Sequence, residues 1–297
     1  MERTPRIGVI GGSGLYQMAD LTNVEEHRID TPFGPPSDAI TVGTLAGRRV
    51  AFLPRHGVGH RFSPMAVPVR ANIWALKSLG VERVISVSAV GSMREELAPL
   101  DLAVPDQLFD RTVARPRTFF DEDYGAGCAV HVSLADPFCS ELRPALVEAA
   151  RAPAVGVRVH DGGTLLVIEG PQFSTRGESR IFRGWGVDLI GMTALPEARL
   201  AREAELCYAT LALVTDYDVW KEDEEPVTVP IVVDRLRSNA AAAQAVLREL
   251  LSRLPGDAGE PRCACRSALE QAIITDRARI PPATRERLGL LLERYLR

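Results

Sequence analysis

The sequence predicts an α/β fold in which helices flank a largely parallel or mixed central β-sheet. Apolar runs with the length and β-branched content of buried strands alternate with stretches of helical periodicity along most of the chain. Small hydroxyl-bearing, basic and acidic residues recur where the predicted strands end, which is where α/β proteins usually bind ligands. A chain of 297 residues, 46% of them apolar and 25% charged, suits one large globular domain or two small ones.

The charge and the distribution of apolar residues exclude two classes of partner. The formal net charge is −4, so no general attraction to nucleic acid or to anionic membranes is expected. The sequence has no apolar run approaching the roughly 18 residues of a membrane-spanning helix. The first residues lead directly into a strand-like segment, without the apolar region of a signal peptide. We therefore expect a cytoplasmic protein.

The first half of the chain is predicted to contain several short strands and one helix. The helix has apolar residues at helical spacing over 66–79, and Gly80 is suited to end it. A nearly continuous apolar segment over 83–90 predicts a central strand, because strands buried on both faces lose the alternation of apolar and polar residues. The other strands are predicted at 6–10, 40–42, 49–53 and 101–106.

A glycine-rich turn, Gly11-Gly12-Ser13-Gly14-Leu15, follows the first predicted strand. Such a turn lets backbone N–H groups approach an anion, and Ser13 adds a hydroxyl donor. The dinucleotide-binding fingerprint is incomplete, because Gln17 occupies the place of its third glycine, and the P-loop lysine is also missing. A tight turn without a ligand is the alternative.

Two further strand ends carry groups that can bind an anion. Arg55 and His56 follow the strand at 49–53, and a guanidinium and an imidazole can gather on one anion. A solvated basic loop is the alternative reading of this segment. Ser88 lies near the end of the predicted central strand and contributes a second hydroxyl.

The second half continues the alternation of helices and strands. Thr175 and Glu178 form a capping-box pattern before a short helix. Pro196 suits the first turn of the next helix, so the Thr193 hydroxyl is expected near a helix N-terminus, as a simple cap or as an anion ligand. Strands are predicted at 163–168, 187–190 and 208–214. Residues 135–139 are expected to lead into a helix that runs to about Ala150, and further helices are predicted at about 238–254 and 283–297, the last with an apolar docking stripe.

Two carboxylates, Asp216 and Asp218, follow the buried strand predicted at 208–214. At strand spacing they point the same way, at the edge of the sheet where ligands bind. An aspartate in an apolar pocket can stay partly protonated, because burial disfavours its charged form. It can then donate a hydrogen bond to a ring nitrogen and accept one from an exocyclic amine, as recognition of an adenine-like base requires. Alternatively, these acids cap a helix or line a solvated loop.

The chain has five cysteines, and free thiols are the default in a reducing cytosol. Cys263 and Cys265 are closer together than the pair of a Cys-x-x-Cys metal or redox site. The sequence has no second pair and no histidine cluster that would complete a tetrahedral site, so no metal is predicted. Cys207 is expected to be buried in a strand. The alternative is a redox-sensitive or disulfide-bonded C-terminal extension.

In combination, these strand ends resemble the methylthioadenosine phosphorylase branch of the trimeric purine nucleoside phosphorylases. The resemblance runs in order from about residue 6 to residue 254, and its motifs are highly specific when taken together. They are Gly11-Gly12-Ser13-Gly14-Leu15, Arg55-His56-Gly57, Ala71-Asn72-Ile73-Trp74-Ala75-Leu76, Ser88-Ala89-Val90-Gly91-Ser92, Glu169-Gly170-Pro171-Gln172-Phe173-Ser174, Met192-Thr193 and Thr215-Asp216-Tyr217-Asp218.

The resemblance implies a single-domain, three-layer α/β fold with a central mixed sheet, of the purine nucleoside phosphorylase type. It implies a homotrimer with active sites near the subunit interfaces, phosphate as co-substrate, and no metal or organic cofactor. The phosphorylase domain is expected to span 1–254. Residues 255–297 are expected to form a helical extension packed on that domain; this tail is less typical of the branch and resembles a thermophile-type variant.

The resemblance also implies roles for individual residues. Asp216 is expected to hydrogen-bond N7 and the 6-amino group of the purine, with Asp218 supporting it, and these two are the predicted catalytic residues. Met192 is expected under the ribose, and Phe173 and Ser174 beside the purine. The predicted phosphate ligands are Ser13, Arg55, His56, Ser88, Ala89 through its backbone, and Thr193.

The 5′ side of the substrate is expected to lie near a subunit boundary. By the same resemblance, His131 reaches the 5′ pocket of the neighbouring subunit, and Val229 and Val232 line that pocket. An apolar wall suits a methylthio group better than a hydroxyl, because a buried hydroxyl needs a hydrogen-bond partner. His131 can supply such a partner, so adenosine and 5′-halogenated nucleosides stay open as substrates.

The expected activity is phosphorolysis of S-methyl-5′-thioadenosine to adenine and 5-methylthioribose 1-phosphate. Two aspartates favour adenine over a 6-oxo purine, for which an asparagine would donate to both N7 and O6. The nearest alternatives are phosphorolysis of methylthioinosine or of ordinary purine nucleosides, and hydrolysis of nucleosides. From other classes, the glycine turn alone suggests a dinucleotide-binding oxidoreductase, and a non-catalytic nucleoside-binding protein is also open.

Overall fold

A mixed β-sheet with helices packed against it forms the centre of the molecule. The computed structural model describes residues 4–12, 15, 18–224, 227–254 and 262–296. Within these residues, the strands of the sheet are β1 (Ile7–Gly11), β2 (Thr22–His27), β3 (Ile40–Leu45), β4 (Arg48–Pro54), β5 (Arg83–Ser92), β6 (Leu102–Val104), β7 (Gln107–Arg111), β8 (Val159–Asp161), β9 (Thr164–Ile168), β10 (Leu189–Gly191) and β11 (Cys207–Asp216).

Strand β5 lies in the middle of the sheet, as its apolar sequence predicts. It pairs in parallel with β1 on one side and with β11 on the other, and its last residues pair antiparallel with β10. The sheet continues from β1 through β4 and β3 to β2, from β10 through β9 to β7, and from β11 through β6 to β8. Because both β10 and β11 pair with Gly91, the ends of three strands meet there.

The apolar strands were predicted, whereas the more polar strands β2, β7 and β8 were not. Every residue of β1 and β11 is buried, in agreement with their apolar sequences. Strand β2 has the sequence TNVEEH and is almost entirely exposed. It forms because its backbone pairs with β3 at the sheet edge. Backbone pairing at an edge leaves no apolar pattern in the sequence, so this strand could not be predicted.

The helices largely follow the predicted positions. Gly80 has a φ of +87° directly after the first helix, so its predicted role in ending that helix is confirmed. Thr175 and Glu178 make both hydrogen bonds of the predicted capping box. The helices are α1 (Val69–Ser78), α2 (Leu142–Ala150), α3 (Arg176–Gly184), α4 (Ala194–Glu203), α5 (Val229–Arg253), α6 (Pro282–Arg287) and α7 (Gly289–Leu292).

Two helix predictions were wrong in their extent. Helix α5 begins at Val229 rather than near Ser238, because Pro230 occupies the first turn, where a missing N–H costs no hydrogen bond. The helix predicted over 283–297 is divided at Leu288, whose φ and ψ of −102° and 18° are not helical. Its apolar stripe nevertheless packs inward: Leu288 and Leu292 are fully buried.

The described part of the C-terminal segment packs on the body of the protein. Leu269, Leu288 and Leu292 belong to the same apolar cluster as Trp74 of α1 and Tyr208 of β11. The opposite face of the sheet packs against α2 and α5 in a second cluster. Among the described helices, none is both long and apolar enough to cross a membrane.

Candidate active site

The predicted site residues of β5, α4 and β11 meet where β5 changes neighbours. Strand β11 follows β5 in parallel from Cys207 to Val214. Next to Gly91 the register shifts, so that two residues of β11, Thr215 and Asp216, face one residue of β5. Such a bulge redirects the side chain that follows it. A Cβ on Gly91 would lie 2.9 Å from Asp216 Oδ1, so Gly91 leaves the space that this carboxyl group occupies.

The carboxyl group of Asp216 is buried and held at both oxygens. Thr215 Oγ1 donates to Oδ2 at 2.6 Å, and the backbone N–H of Asp218 donates to Oδ1 at 2.8 Å. Burial raises the pKa of Asp216 to about 6, and these two hydrogen bonds only partly oppose that rise. Asp216 is therefore an acid that can carry or share a proton near neutral pH, which excludes the solvated-loop alternative for this residue.

Asp218 does not lie on the strand, so the simple alternation predicted for the pair was wrong. Strand β11 ends at Asp216, and Asp218 follows in a turn with a φ of +52°. The turn folds the Asp218 backbone against the Asp216 carboxyl group. Asp218 is 6% exposed, and its Oδ2 makes no well-aligned hydrogen bond with the residues that the structure describes. The hydroxyls of Ser179 and Ser174 are nevertheless near enough to lower the pKa of Asp218. Burial raises the pKa of Asp218 as well.

A pair of hydroxyl groups lies near the end of β5. Ser88 Oγ and Thr193 Oγ1 are 2.7 Å apart, and both residues are partly exposed. Thr193 precedes α4 without capping it through its side chain, so the simple-cap alternative is not supported. Ala89 follows Ser88 on the same strand and places its backbone next to the pair. Leu195, with a φ of −117° and a ψ of 135°, is not helical, so the regular part of α4 begins beyond it. Two hydroxyls and nearby backbone groups can together bind an anion.

Arg55 is buried in an ion pair rather than presented to solvent. Its Nε lies 2.5 Å from Glu197 Oε1, and its Nη2 lies 3.2 Å from Glu197 Oε2 and 2.6 Å from Ser86 Oγ. Its Nη1 donates to the carbonyl of Val87 at 2.8 Å. Tyr208 also donates to Glu197, at 3.0 Å. Arg55, directly after β4, thus connects β5 and α4, and its contact with β5 is one residue before Ser88.

His56 is half-buried and neutral near pH 7. Burial lowers its pKa to about 4, helped by the charge of Arg55. Its Nδ1 lies 2.8 Å from the carbonyl oxygen of Phe62, which can only accept, so Nδ1 carries the proton and Nε2 is an acceptor. The ring stacks on His60 with centroids 4.2 Å apart.

Met192 is held between two elements that the sequence did not connect. A Cβ on Gly170 would lie 2.6 Å from Met192 Sδ, so the glycine is needed for this approach, and its φ of +66° also suits glycine. The Arg115 guanidinium donates to the carbonyls of Met192 and Glu169, and at 2.9 Å to that of Leu195. Arg115 therefore sets the distance between the end of β9 and the start of α4.

The remaining predicted residues lie on other segments. Ser174 is half-buried, and its hydroxyl is close enough to Asp218 to oppose the rise in the pKa of that group. Phe173 is 37% exposed on the same segment after β9. His131 is exposed, and its backbone N–H donates to the carbonyl oxygen of Ala272, in the C-terminal segment, at 2.8 Å. Val229 is 64% exposed in the first turn of α5, and Val232 is half-buried one turn later. Ser13 lies outside the described residues.

Comparison with known proteins shows the family to which the chain belongs. The family model for the phosphorylase superfamily matches residues 6–252. The chain belongs to the phosphorylase superfamily. It is 55% identical over 292 residues to the S-methyl-5′-thioadenosine phosphorylase of Gloeobacter violaceus, an alignment that covers 98% of this chain and 96% of that protein.

Two solved structures support membership of the phosphorylase superfamily. A methylthioadenosine phosphorylase sourced from an antarctic soil metagenomic library has a TM-score of 0.91 at 47% identity, over 97% of this chain and 99% of that one. A mutant of the adenosine/methylthioadenosine phosphorylase of Schistosoma mansoni, solved in complex with methylthioadenosine, has a TM-score of 0.78 at 36% identity, over 84% and 91%. The predicted fold and family are therefore confirmed.

The matched residues 6–252 include every predicted site residue and two further residues, Glu197 and Arg115. The sequence did not reveal these two, because their roles depend on contacts. Glu197 is 2% exposed and neutralises Arg55, and Arg115 is 7% exposed and spans two strand ends. Glu197 directly follows Pro196 in a helix start, and Arg115 lies in a segment without clear periodicity. Only the buried position of a charged residue would have marked either one, and burial is not visible in the sequence.

Proposed function

We propose that this protein cleaves S-methyl-5′-thioadenosine with phosphate and releases adenine and 5-methylthioribose 1-phosphate. The observation that carries the proposal is the buried Asp216, which can hold a proton near neutral pH, next to strand β5, where the hydroxyls of Ser88 and Thr193 meet. From Ser88 to Gly91, β5 advances about 10 Å, which leaves room for a ribose between the two groups. The names of the similar proteins support the same substrate.

The two aspartates divide the recognition of the base. With a pKa of about 6, Asp216 is protonated in about a tenth of molecules at pH 7, so it can share a proton with N7 as the bond to the sugar breaks. Asp218 Oδ2, buried without a well-aligned hydrogen bond to the described residues, can accept from the 6-amino group. Ser174 lies on the same side and borders the purine. A 6-oxo purine would place an acceptor against an acceptor.

Phosphate binds to the hydroxyl pair of Ser88 and Thr193 and to the backbone of Ala89, with Ser13 as a further ligand. The Nε2 atom of His56 can only accept a hydrogen bond. It therefore favours a phosphate that carries a proton, because the phosphate hydroxyl can donate to Nε2. Arg55 acts through its surroundings: its guanidinium is fully engaged by Glu197 and its neighbours, and it positions β5 and the His56 loop.

Catalysis then consists mainly of positioning and electrostatic stabilisation. Breaking the N-glycosidic bond makes the sugar oxocarbenium-like and leaves negative charge on the base. Proton sharing at Asp216 stabilises that charge, and general-acid help of this kind contributes about 10²–10⁴-fold. Phosphate attacks C1′ from the opposite face. Met192 packs under the ribose at the distance that Gly170 and Arg115 set. We propose no organic cofactor for this chemistry.

The protein works as a cytoplasmic homotrimer in this proposal. An exposed apolar surface supports association: Val113 is 80% exposed and Trp185 53% exposed, with Phe109 packed edge-on against Trp185. The exposed Phe173 lies after β9, so a neighbouring subunit can cover it at the base site. His131, Val229 and Val232 then contribute to the 5′ pocket across the subunit boundary. Residues 1–254 form the catalytic domain, and 255–297 an extension that covers it.

Adenine release from S-methyl-5′-thioadenosine, with and without phosphate, tests the proposal. Adenosine and methylthioinosine serve as comparison substrates. Phosphate-dependent release that is fastest with S-methyl-5′-thioadenosine is the expected result. Faster turnover of the inosine form would contradict the roles of Asp216 and Asp218, and release without phosphate would make the protein a hydrolase.

The anion site has its own pair of variants. Thr193→Val removes the hydroxyl that faces Ser88 and keeps the shape, so the KM for phosphate should rise at least about tenfold, the loss of one hydrogen bond to a charged group. Thr193→Ser keeps the hydroxyl and is the matched control. An equal rise in both variants would mean that the hydroxyl is not a ligand.

A further inference from the structure

Four of the five cysteines meet on the side of the fold where the C-terminal segment joins the body. Cys139 lies just before α2, and Cys207 is the first residue of β11. Cys263 and Cys265 flank the start of a short 3-10 turn over 264–267. The four sulfur atoms all lie within 4.8 Å of one another. Cys263 Sγ is 3.5 Å from Cys139 Sγ and 3.3 Å from Cys207 Sγ.

We propose that this four-cysteine cluster, Cys139, Cys207, Cys263 and Cys265, binds one structural Zn²⁺ ion. In a tetrahedral zinc–thiolate site the metal–sulfur distance of about 2.3 Å places neighbouring sulfur atoms about 3.8 Å apart. The observed separations fall around this value. They are much longer than the roughly 2.05 Å of a disulfide bond, and the four cysteines are free. The sequence predicted no metal because two of the ligands are distant in the chain.

The cluster has the features of a closed structural site. It offers four ligands, so zinc bound there keeps no open position for a water molecule or a substrate. Cys139, Cys207 and Cys265 are buried, and Cys263 is half-buried. The backbone N–H of Leu142 points at Cys139 Sγ from 3.3 Å, a hydrogen bond that favours a thiolate over a thiol. Binding displaces four protons, one from each thiol, and leaves the zinc–sulfur group with two negative charges.

The site would fasten the C-terminal segment to the catalytic body. Cys139 and Cys207 lie on the body, whereas Cys263 and Cys265 follow the residues 255–261 that separate α5 from the rest of the chain. The same segment then places Ala272 against the backbone of His131, at 2.8 Å. Ligands that are distant in the sequence come together only in the folded state, so the free energy of zinc binding stabilises that state. The metal therefore stabilises the docked segment.

Metal analysis of the full chain tests this inference directly. Protein produced in zinc-supplemented medium is purified with a reducing agent and without a chelator, and zinc is measured by mass spectrometry. We expect one zinc per chain in the wild type and only background zinc in the Cys263→Ser/Cys265→Ser variant. The matched control is Cys128→Ala, which removes the fifth, buried cysteine outside the cluster and should keep its zinc.

Two further measurements keep the inference falsifiable if a variant folds poorly. Wild-type protein reconstituted with Co²⁺ should show the intense visible bands of a tetrahedral tetrathiolate site. Added Zn²⁺ should protect four of its thiols from alkylation. Reduced wild-type protein that binds no zinc, iron in place of zinc, equal zinc in the double variant, or disulfides within the cluster would each overturn the assignment. Adenine release on the same samples is a separate readout, so failure of the proposed function leaves the metal result intact.

Discussion

Replacing Asp216 with asparagine should make the protein more stable and less active at the same time. The carboxyl group is 8% exposed, and burial raises its pKa from 3.8 to about 6. Above pH 6 the folded state must hold a charge that water would stabilise better. Asparagine keeps the shape of the side chain and removes the charge, so it removes that cost.

The size and sign of the effect follow from the pKa. A rise of about two units corresponds to about 3 kcal/mol, because one unit equals about 1.4 kcal/mol. The folded state holds the proton more tightly than the unfolded state. Wild-type stability therefore falls as the pH rises from about 4 to about 6, and the full cost persists above that range. The gain from Asp216→Asn should be about 1–3 kcal/mol near pH 8 and should vanish near pH 4.

The surroundings of Asp216 can accommodate the amide. Its oxygen can still accept from the Asp218 N–H, now at 2.8 Å from Oδ1. Its NH₂ group can donate to Thr215 Oγ1, because the Thr215 hydroxyl has a second acceptor in the carbonyl of Val90 at 3.2 Å. No hydrogen bond need be lost, so the charge is the main difference between the two proteins.

Urea denaturation at one fixed protein concentration, near pH 8 and near pH 5, measures the stability change, and adenine release measures activity. The variant should unfold at a higher urea midpoint near pH 8, with a smaller advantage near pH 5. Its kcat/KM for S-methyl-5′-thioadenosine should fall at least about 30-fold, which is about 2 kcal/mol. A variant that is less stable at both pH values would refute the cost of burying the Asp216 charge, and one that keeps its turnover would refute the catalytic role of this residue.

Two further changes probe the framework of the site. Glu197→Gln leaves the Arg55 charge buried without its partner and should lower the free energy of unfolding by about 3–5 kcal/mol. The double variant Arg55→Gln/Glu197→Gln should lose less stability than the sum of the two single variants. An additive loss would argue against a coupled ion pair. Gly170→Ala puts a Cβ 2.6 Å from Met192 Sδ and should raise the KM for the nucleoside. Gly184→Ala is the control, because a Cβ there has no atom within 4 Å, and it should leave this KM unchanged. An equal change in KM for both variants would count against the role of the close approach between Gly170 and Met192.

The sequence was sufficient for features that depend on near neighbours in the chain. The apolar runs located β5 and β11, and the capping box located the start of α3. Gly80 marked the end of α1. The family motifs also pointed to Ser88, Thr193 and Asp216, although Thr193 does not cap α4 through its side chain. Strand length and capping depend on a few consecutive residues, so these features can be predicted locally. The start of α5 was missed because Pro230 is tolerated in a first helical turn.

The tertiary structure decided which of these residues meet and in which charge state. Asp216 is an acid with a pKa near 6 only because β5, its bulge and Gly91 enclose it. Arg55 faces Glu197 across 142 residues of chain, and Cys139 faces Cys263 across 124. Contacts of this length depend on the order of strands in the sheet, and burial depends on all the elements packed around a group. Neither property is carried by local periodicity, so the sequence could predict the chemical groups of the site but not their partners or their protonation.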